Sequence, residues 1–331
     1  MTMRFEKLLE KTPAFRIFAS DKKAGSLSHG YLLISPDEDM NRAYVKHFAK
    51  AILCENGTAC GECRPCRLIE KEVYGDCPIY PDSSQQGKVL TADVDDLVAQ
   101  SFLRPVEGNL RVFVISGADK LTEQAQNKLL KTLEEPPETS ALLMIAASEY
   151  ALLPTVRSRV KKLEIPYFSP DEIVEALSDE GIDPEKLRLA AISSGGMIGK
   201  AKKLVADDSF LDMVGLALRI MTDMQKSSDV ADYSACVMKY KNNLGAFFDA
   251  FEIVLRDALM FKSGHKELIM NKNRMAEIGR ASLTFVPAAL ISAIERTAEA
   301  KRQLKFNTNP QMVADGFLFD LLEGKYQWRK S

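Results

Sequence analysis

The sequence has no surplus of positive charge: 44 lysines and arginines face 46 aspartates and glutamates over 331 residues, a formal net charge of -2. This balance excludes a globally basic protein held to nucleic acid by phosphate neutralisation, so any DNA contact has to be local or shared with partners. Long apolar runs are missing as well. No stretch approaches the roughly 20 residues that a membrane helix needs, and the opening MTMRFEKLLEKTPAF has no apolar signal core, so a cytoplasmic protein without a membrane segment is expected. Neither an internal repeat nor a low-complexity segment stands out, which leaves packed globular domains: two by length, or three small ones. What is present in excess is cysteine in one place. Cys54, Cys60, Cys63, Cys66 and Cys77 fall close together, Cys236 stands apart, and cytosolic redox conditions disfavour disulfides.

The first half alternates short apolar runs with amphipathic segments. Tyr31–Ile34, Val112–Ile115 and Ala141–Ala147 are continuous apolar runs, the pattern of strands covered on both faces. Between the last two, Thr122 caps a helix on which Ala125, Leu129, Leu130 and Leu133 recur at helical spacing until Pro136-Pro137 ends it. Strand, helix and strand in that order make a βαβ unit, so a parallel sheet is predicted. Pro166 to Pro170 reads as a linker, and Ser169-Pro170-Asp171-Glu172 opens a helix with a cap, a proline and acids. Three short helices follow between Asp171 and Ala206, broken at Glu180-Gly181 and at Ser193-Ser194-Gly195-Gly196. From Phe210 the chain is helical throughout, with long amphipathic stretches at Leu244–Phe261 and Val286–Leu304. The division expected is an α/β domain over 1–166, a three-helix lid over 167–207 and an all-helical domain over 208–331.

Cys54-x5-Cys60-x2-Cys63-x2-Cys66 supplies four thiols, with Gly61 and Pro65 shaping two overlapping turns. Four thiolates close a tetrahedral zinc site and leave no position open for water or substrate, so such a site is structural. A thioredoxin-like redox pair, an iron–sulfur centre or unliganded core thiols are the alternatives. His47, on the helix ahead of Cys54, is a distant competitor for the metal. Cys77 and Cys236 read as buried or core thiols.

The loop after the first strand lacks what a phosphate-binding loop needs. Ser35-Pro36-Asp37-Glu38-Asp39-Met40-Asn41-Arg42 contains no glycine and no lysine, and three of its residues are consecutive acids. A phosphate loop works through close backbone N–H groups and a lysine, whereas these carboxylates repel a triphosphate. Either this is an ordinary connection, or a nucleotide-binding fold has lost its site.

A further set of motifs decides between the two. Ala118-Asp119-Lys120-Leu121, the string Gln126-Asn127-Lys128-Leu129-Leu130-Lys131-Thr132-Leu133-Glu134-Glu135-Pro136-Pro137, and Leu152-Leu153-Pro154-Thr155-Val156-Arg157-Ser158-Arg159 resemble the clamp-loader branch of the AAA+ ATPases. With the four cysteines after the first helix, and with Arg256-Asp257-Ala258-Leu259 and Asn307-Thr308-Asn309-Pro310-Gln311, the resemblance is specifically to the delta-prime group of bacterial DNA polymerase III clamp-loader subunits.

The resemblance implies an α/β AAA+ module with a P-loop NTPase-like parallel sheet and a degenerate nucleotide site. It also implies an inserted zinc module at 54–66, a small helical lid and an all-α C-terminal collar for oligomerisation. The implied partners are gamma/tau and delta subunits, and, through the complex, the sliding clamp and primer-template DNA. The family's Ser-Arg-Cys motif, which offers an arginine in trans to a neighbour's ATP, falls on Ser158 and Arg159, with Val160 in place of the cysteine. Arg157 is a weaker candidate for the same interface. Ser35, Pro36, Glu38, Met40, Asn41 and Arg42 occupy the phosphate-loop position. Ser116-Gly117 stands where an active relative carries Asp-Glu for magnesium and water, and Ala146-Ala147 where it carries a polar sensor. Lys200, in Gly199-Lys200-Ala201, is either the remnant of a second sensor or a solvated lysine. The expectation is one structural Zn2+, no bound ATP and no intrinsic catalysis. An ATP-hydrolysing gamma/tau-like motor and a stand-alone zinc-containing nucleic-acid-binding protein are the alternatives.

Overall fold

The computed structural model describes residues 3–82, 89–306 and 308–327, so Asn307 of the terminal motif lies outside the described residues. The chain divides into two compact units, Met1–Gly181 with Gly196–Lys200, and Ile182–Gly195 with Ala201–Ser331. Of the three short helices after the linker, Pro170–Leu177 belongs to the first unit and Pro184–Ser193 to the second, while Ile198–Ala206 begins in the first and continues into the second.

The first unit is built on one five-stranded sheet: β1 (Gly30–Ile34), β2 (Ile79–Tyr80), β3 (Arg111–Ser116), β4 (Ser140–Ala146) and β5 (Lys161–Glu164), in the order β2-β3-β4-β1-β5. All neighbours pair in parallel, with Leu143 of β4 opposite Tyr31 on one side and Val114 on the other. The three predicted strands are the middle of this sheet, where both faces are covered and a continuous apolar run is stable. The flanking strands carry no such run. β2 has two residues behind Pro78, and β5 reads Lys-Lys-Leu-Glu with only Leu163 buried. The helix Glu123–Glu134 starts where Thr122 Oγ1 accepts from the Ala125 N–H at 3.2 Å, and it buries Ala125, Leu129 and Leu133 against the sheet core. Because the strands are parallel, the loops after β1, β3 and β4 emerge at one carboxyl edge.

The second unit is helical, with Phe210–Asp223, Ser227–Val237, Leu244–Lys262, Met275–Leu283, Pro287–Lys305 and Pro310–Gln327 as its long elements. Phe317 packs edge-on against Phe248 and Phe251, with ring centroids 5.2 and 5.0 Å apart, and Met213, Met221 and Met224 are buried in the same core. Asp257 is fully buried and accepts from the Met270 and Asn271 N–H groups and from Asn271 Nδ2, at 2.8, 2.9 and 2.6 Å. Its place in the Arg256–Leu259 motif is thus accounted for by the loop that it ties down. Among the described residues no single helix is long and apolar enough to cross a membrane.

His47 is buried on the helix Asn41–Leu53, faces Glu6 and Glu10 of the N-terminal segment, and is not a member of the cysteine group. Its ring nitrogens lie 3.7 Å from Glu6 and 3.4 Å from Glu10, close enough for charge attraction but without hydrogen-bond alignment. Lys50 joins the same group through Glu6 at 3.2 Å and Glu70 at 2.6 Å. Burial works to lower the His47 pKa, and the two carboxylates outweigh it and raise it. A raised pKa in the folded state means that the stabilisation is complete below the ordinary imidazole value of about 6.5 and is lost as pH rises through the folded value. Urea unfolding of the full chain should therefore show stability declining from about pH 6.5 upward, and His47→Gln should flatten that decline. A variant with the wild-type slope would assign the titration to another group.

Candidate functional site

Three constellations lie in the first unit. The cysteine group forms where the helix Asn41–Leu53 ends and Cys54 turns the chain out in an extended conformation. Gly57 and Gly61, both left-handed at φ 72° and 74°, fold it back, and Cys63 leads into the helix Arg64–Glu70, where Cys66 is buried. The four Sγ atoms of Cys54, Cys60, Cys63 and Cys66 all lie within 4.8 Å of one another, with Cys54 3.6 Å from Cys60 and 3.9 Å from Cys63. The Cys60 N–H donates to Cys54 Sγ, and the Cys63 N–H and Asn56 Nδ2 donate to Cys60 Sγ, each at 3.4 Å. Burial pushes the Cys54 thiol up, but the N–H groups of Cys60, Thr58 and Asn56 outweigh it and bring it down to about 6. Four sulfurs gathered in this way can hold a metal ion. Cys77 stands outside the group: burial holds its thiol up at about 12. Cys236 packs against the helical core of the second unit.

The second constellation is the carboxyl edge of the sheet. Ser35 N–H donates to Ala146 O, and Gly117 N–H to Ile145 O, both at 3.0 Å, so the loop after β1 and the turn after β3 are each stitched to the end of β4. The turn is made by Gly117 at φ 90°, and Lys120 beyond it pairs with Glu38 of the β1 loop at 2.8 Å. Asp119 Oδ1 accepts from the Ala147 N–H at 3.3 Å. Asp37 is buried, and its Oδ2 accepts from the Gly199 N–H at 2.9 Å and from the Tyr44 hydroxyl at 3.4 Å. Burial, opposed by the Gly199 N–H, leaves its carboxyl above the usual range. Met40 and Asn41 are buried where the helix begins. Arg42 points elsewhere, to the Glu72 carboxylate and, at 2.9 Å, to Pro81 O. Asp37, Asp119 and Lys120 are thus members of this edge that motif reasoning left without roles; the run of acids was the available signal.

The third is the turn after the short helix Pro154–Arg157. Arg159 Nη1 donates to Thr155 O at 2.9 Å and to Ser158 Oγ at 3.2 Å, and Nη2 pairs with Glu134 at 2.7 Å. These three contacts orient the guanidinium. Arg157 is engaged differently, 3.7 Å from Glu149 and over the Tyr150 ring. Val160 is buried in the sheet core beside Gly30. Glu134, known from the sequence only as part of a motif, is thereby the acid facing Arg159.

A family model described as DNA polymerase III, delta subunit, matches residues 10–169. The chain is 24% identical to the DNA polymerase III subunit delta' of Bacillus subtilis over 98% of this chain and 100% of that one. To the subunit delta' of Pseudomonas aeruginosa it is 31% identical over 51% of this chain and 53% of that one. A solved structure from Thermotoga maritima, of a DNA polymerase III, gamma subunit-related protein, aligns at 17% identity and a TM-score of 0.47, covering 93% of this chain and 99% of that one. The family match across the sheet unit and the similarity along nearly the whole chain make this protein similar to the delta' subunits of DNA polymerase III.

Proposed function

We propose that this chain is a non-hydrolysing, delta-prime-type subunit of a DNA polymerase III clamp loader. It acts in the cytoplasm as a stator that helps load the sliding clamp onto primer-template DNA, beside gamma/tau- and delta-type partners. It binds no ATP of its own, and it presents Arg159, steadied by Ser158, to the ATP of a gamma/tau-type neighbour.

The observation that carries this reading is the self-filled loop after β1. Two of its acids already have partners within the chain, Asp37 on the Gly199 N–H and Glu38, at the surface, on Lys120. A triphosphate brought there meets carboxylates in place of a glycine-rich cradle and a lysine. Ser116 and Gly117 at the end of β3 supply no carboxylate for a magnesium ion, and Ala146-Ala147 at the end of β4 supplies no polar side chain. Arg159 suits the donor role because an always-charged planar guanidinium, already oriented, stabilises charge developing on a transferring phosphoryl group. In this reading 1–166 is the AAA+ domain, 167–207 the lid and 208–331 the collar. Ile291, Phe306, Met312 and Phe319, exposed apolar residues of the C-terminal helices, suit a subunit seam.

The four cysteines hold one structural Zn2+ in the same proposal. Zinc–sulfur bonds of about 2.3 Å in a tetrahedron set sulfurs about 3.8 Å apart, which agrees with the 3.6 and 3.9 Å separations. Metal analysis of the full chain should return one zinc, lost in Cys60→Ser or Cys63→Ser and kept in Cys236→Ser. Iron, or no metal, would overturn the assignment.

The stator reading is tested by titrating the isolated chain with ATP, where micromolar binding would point to a motor subunit instead. In the reconstituted loader, Arg159→Ala should lower DNA- and clamp-stimulated hydrolysis by about tenfold or more while the complex still assembles. Undiminished hydrolysis would remove the arginine from the reaction.

A further inference from the structure

The amino end of the helix Ile198–Ala206 meets the loop after β1 at closer range than a side chain allows. A Cβ on Gly199 would sit 2.5 Å from Asp39 Cβ, 2.6 Å from Asp37 Oδ1 and 3.1 Å from Met40 Cγ, so only glycine fits against this loop. The first N–H groups of a helix have no partner within it, and an anion at that end satisfies both their hydrogen bonds and the helix dipole. Here the anion belongs to the chain. Asp37 is only 4% exposed, and its Oδ2 accepts from the Gly199 N–H at 2.9 Å, with the Ile198 N–H directed at the same carboxylate. Among the described residues no lysine or arginine is paired with Asp37, so backbone N–H groups and the Tyr44 hydroxyl are its partners.

A second stitch lies just before. Phe168 N–H donates to Gly196 O at 3.0 Å, and Gly196 has φ 88° with a Cβ position only 2.8 Å from Tyr167 Cβ. Two glycines and one carboxylate therefore seat the segment Gly196–Lys200 on the sheet unit.

We infer that Asp37 is an internal anion that latches the amino end of the helix Ile198–Ala206 to the loop after β1, so that this segment is held by the chain itself in place of a bound phosphate. The inference rests on reading the loop as a lost phosphate loop. It goes beyond that reading by naming what substitutes for the ligand and which segment is held. Asp37 supplies the acceptor, Gly199 the close approach, and Tyr44 keeps the carboxylate turned inward. The latch involves no chemistry on a substrate; its effect is to make the docking of Gly196–Lys200 independent of nucleotide.

Amide hydrogen exchange on the full chain tests it, with and without ATP and magnesium. Asp37→Asn keeps the shape but loses the charge, and Gly199→Ala keeps the carboxylate but forces the two elements apart. Each should speed exchange over 198–200 by about tenfold or more, with the strands Gly30–Ile34 and Ser140–Ala146 staying protected. ATP should change none of these rates. Wild-type protection of 198–200 in both variants would overturn the latch, as would protection gained there by the wild type on adding ATP. The stator reading fails separately: tight ATP binding by a chain whose variants still loosen only 198–200 would remove that reading and leave the latch. A chain that binds no ATP and whose variants exchange like wild type would do the reverse.

Discussion

Backbone N–H groups at the start of a helix and at the carboxyl edge of a parallel sheet have no partners within their own element, and once buried each requires an acceptor. In an α/β protein that requirement is an invitation to an anionic ligand. Here acceptors within the chain answer it. Asp37 takes the Gly199 N–H, Asp119 takes the Ala147 N–H, and the main chain of β4 takes those of Ser35 and Gly117. These N–H groups at the carboxyl edge are therefore satisfied by acceptors that belong to the chain itself. The proposed stator role and the inferred latch both start from this constraint.

The elements around that edge are pinned from several sides. The helix Asn41–Leu53 is fixed near its start by Tyr44 on Asp37 and by Arg42 on Glu72 and Pro81, along its length by the Glu6–Lys50–Glu70 ion pairs, and at its end by Cys54. Asp76, fully buried, gathers the N–H groups of Val106, Glu107 and Gly108 at 2.6, 2.8 and 2.9 Å ahead of β3. Burial raises its pKa, and those three donors outweigh it and keep the carboxyl low. Arg159 is oriented the same way, by a carbonyl, a hydroxyl and a carboxylate. A guanidinium already held in place loses less freedom when it engages an anion than one on a mobile stem.

How much of this was legible in the sequence depended on how far apart the cooperating residues lie. β1, β3 and β4 announce themselves because a strand buried on both faces has to be apolar throughout, whereas β5 at the sheet edge reads Lys-Lys-Leu-Glu and carries no such mark. Caps are readable because they act over three residues: Thr122 holds the Ala125 N–H, and Ser169 and Glu172 form the reciprocal pair expected of their spacing. The cysteine group is readable for the same reason, its four members being brought together by two local turns. Glu134 and Arg159 each belong to a motif, yet nothing in either string says that the two side chains meet.

The sequence by itself determined the parallel α/β core, the helical second half, the gathering of four thiols and the lack of a glycine-lysine cradle after β1, because each follows from local spacing or from the chemistry of residue types. It also determined that the loop is acidic, but left those acids as a source of repulsion. Only the tertiary structure decided that Asp37 is buried against Gly199, 162 residues away, and that His47 faces Glu6 and Glu10 and is not a member of the cysteine group. The physical reason is that a carboxylate's effect is set by which donors surround it. Those donors are backbone groups of distant segments, carried by every residue but proline and therefore invisible in the identity of any of them.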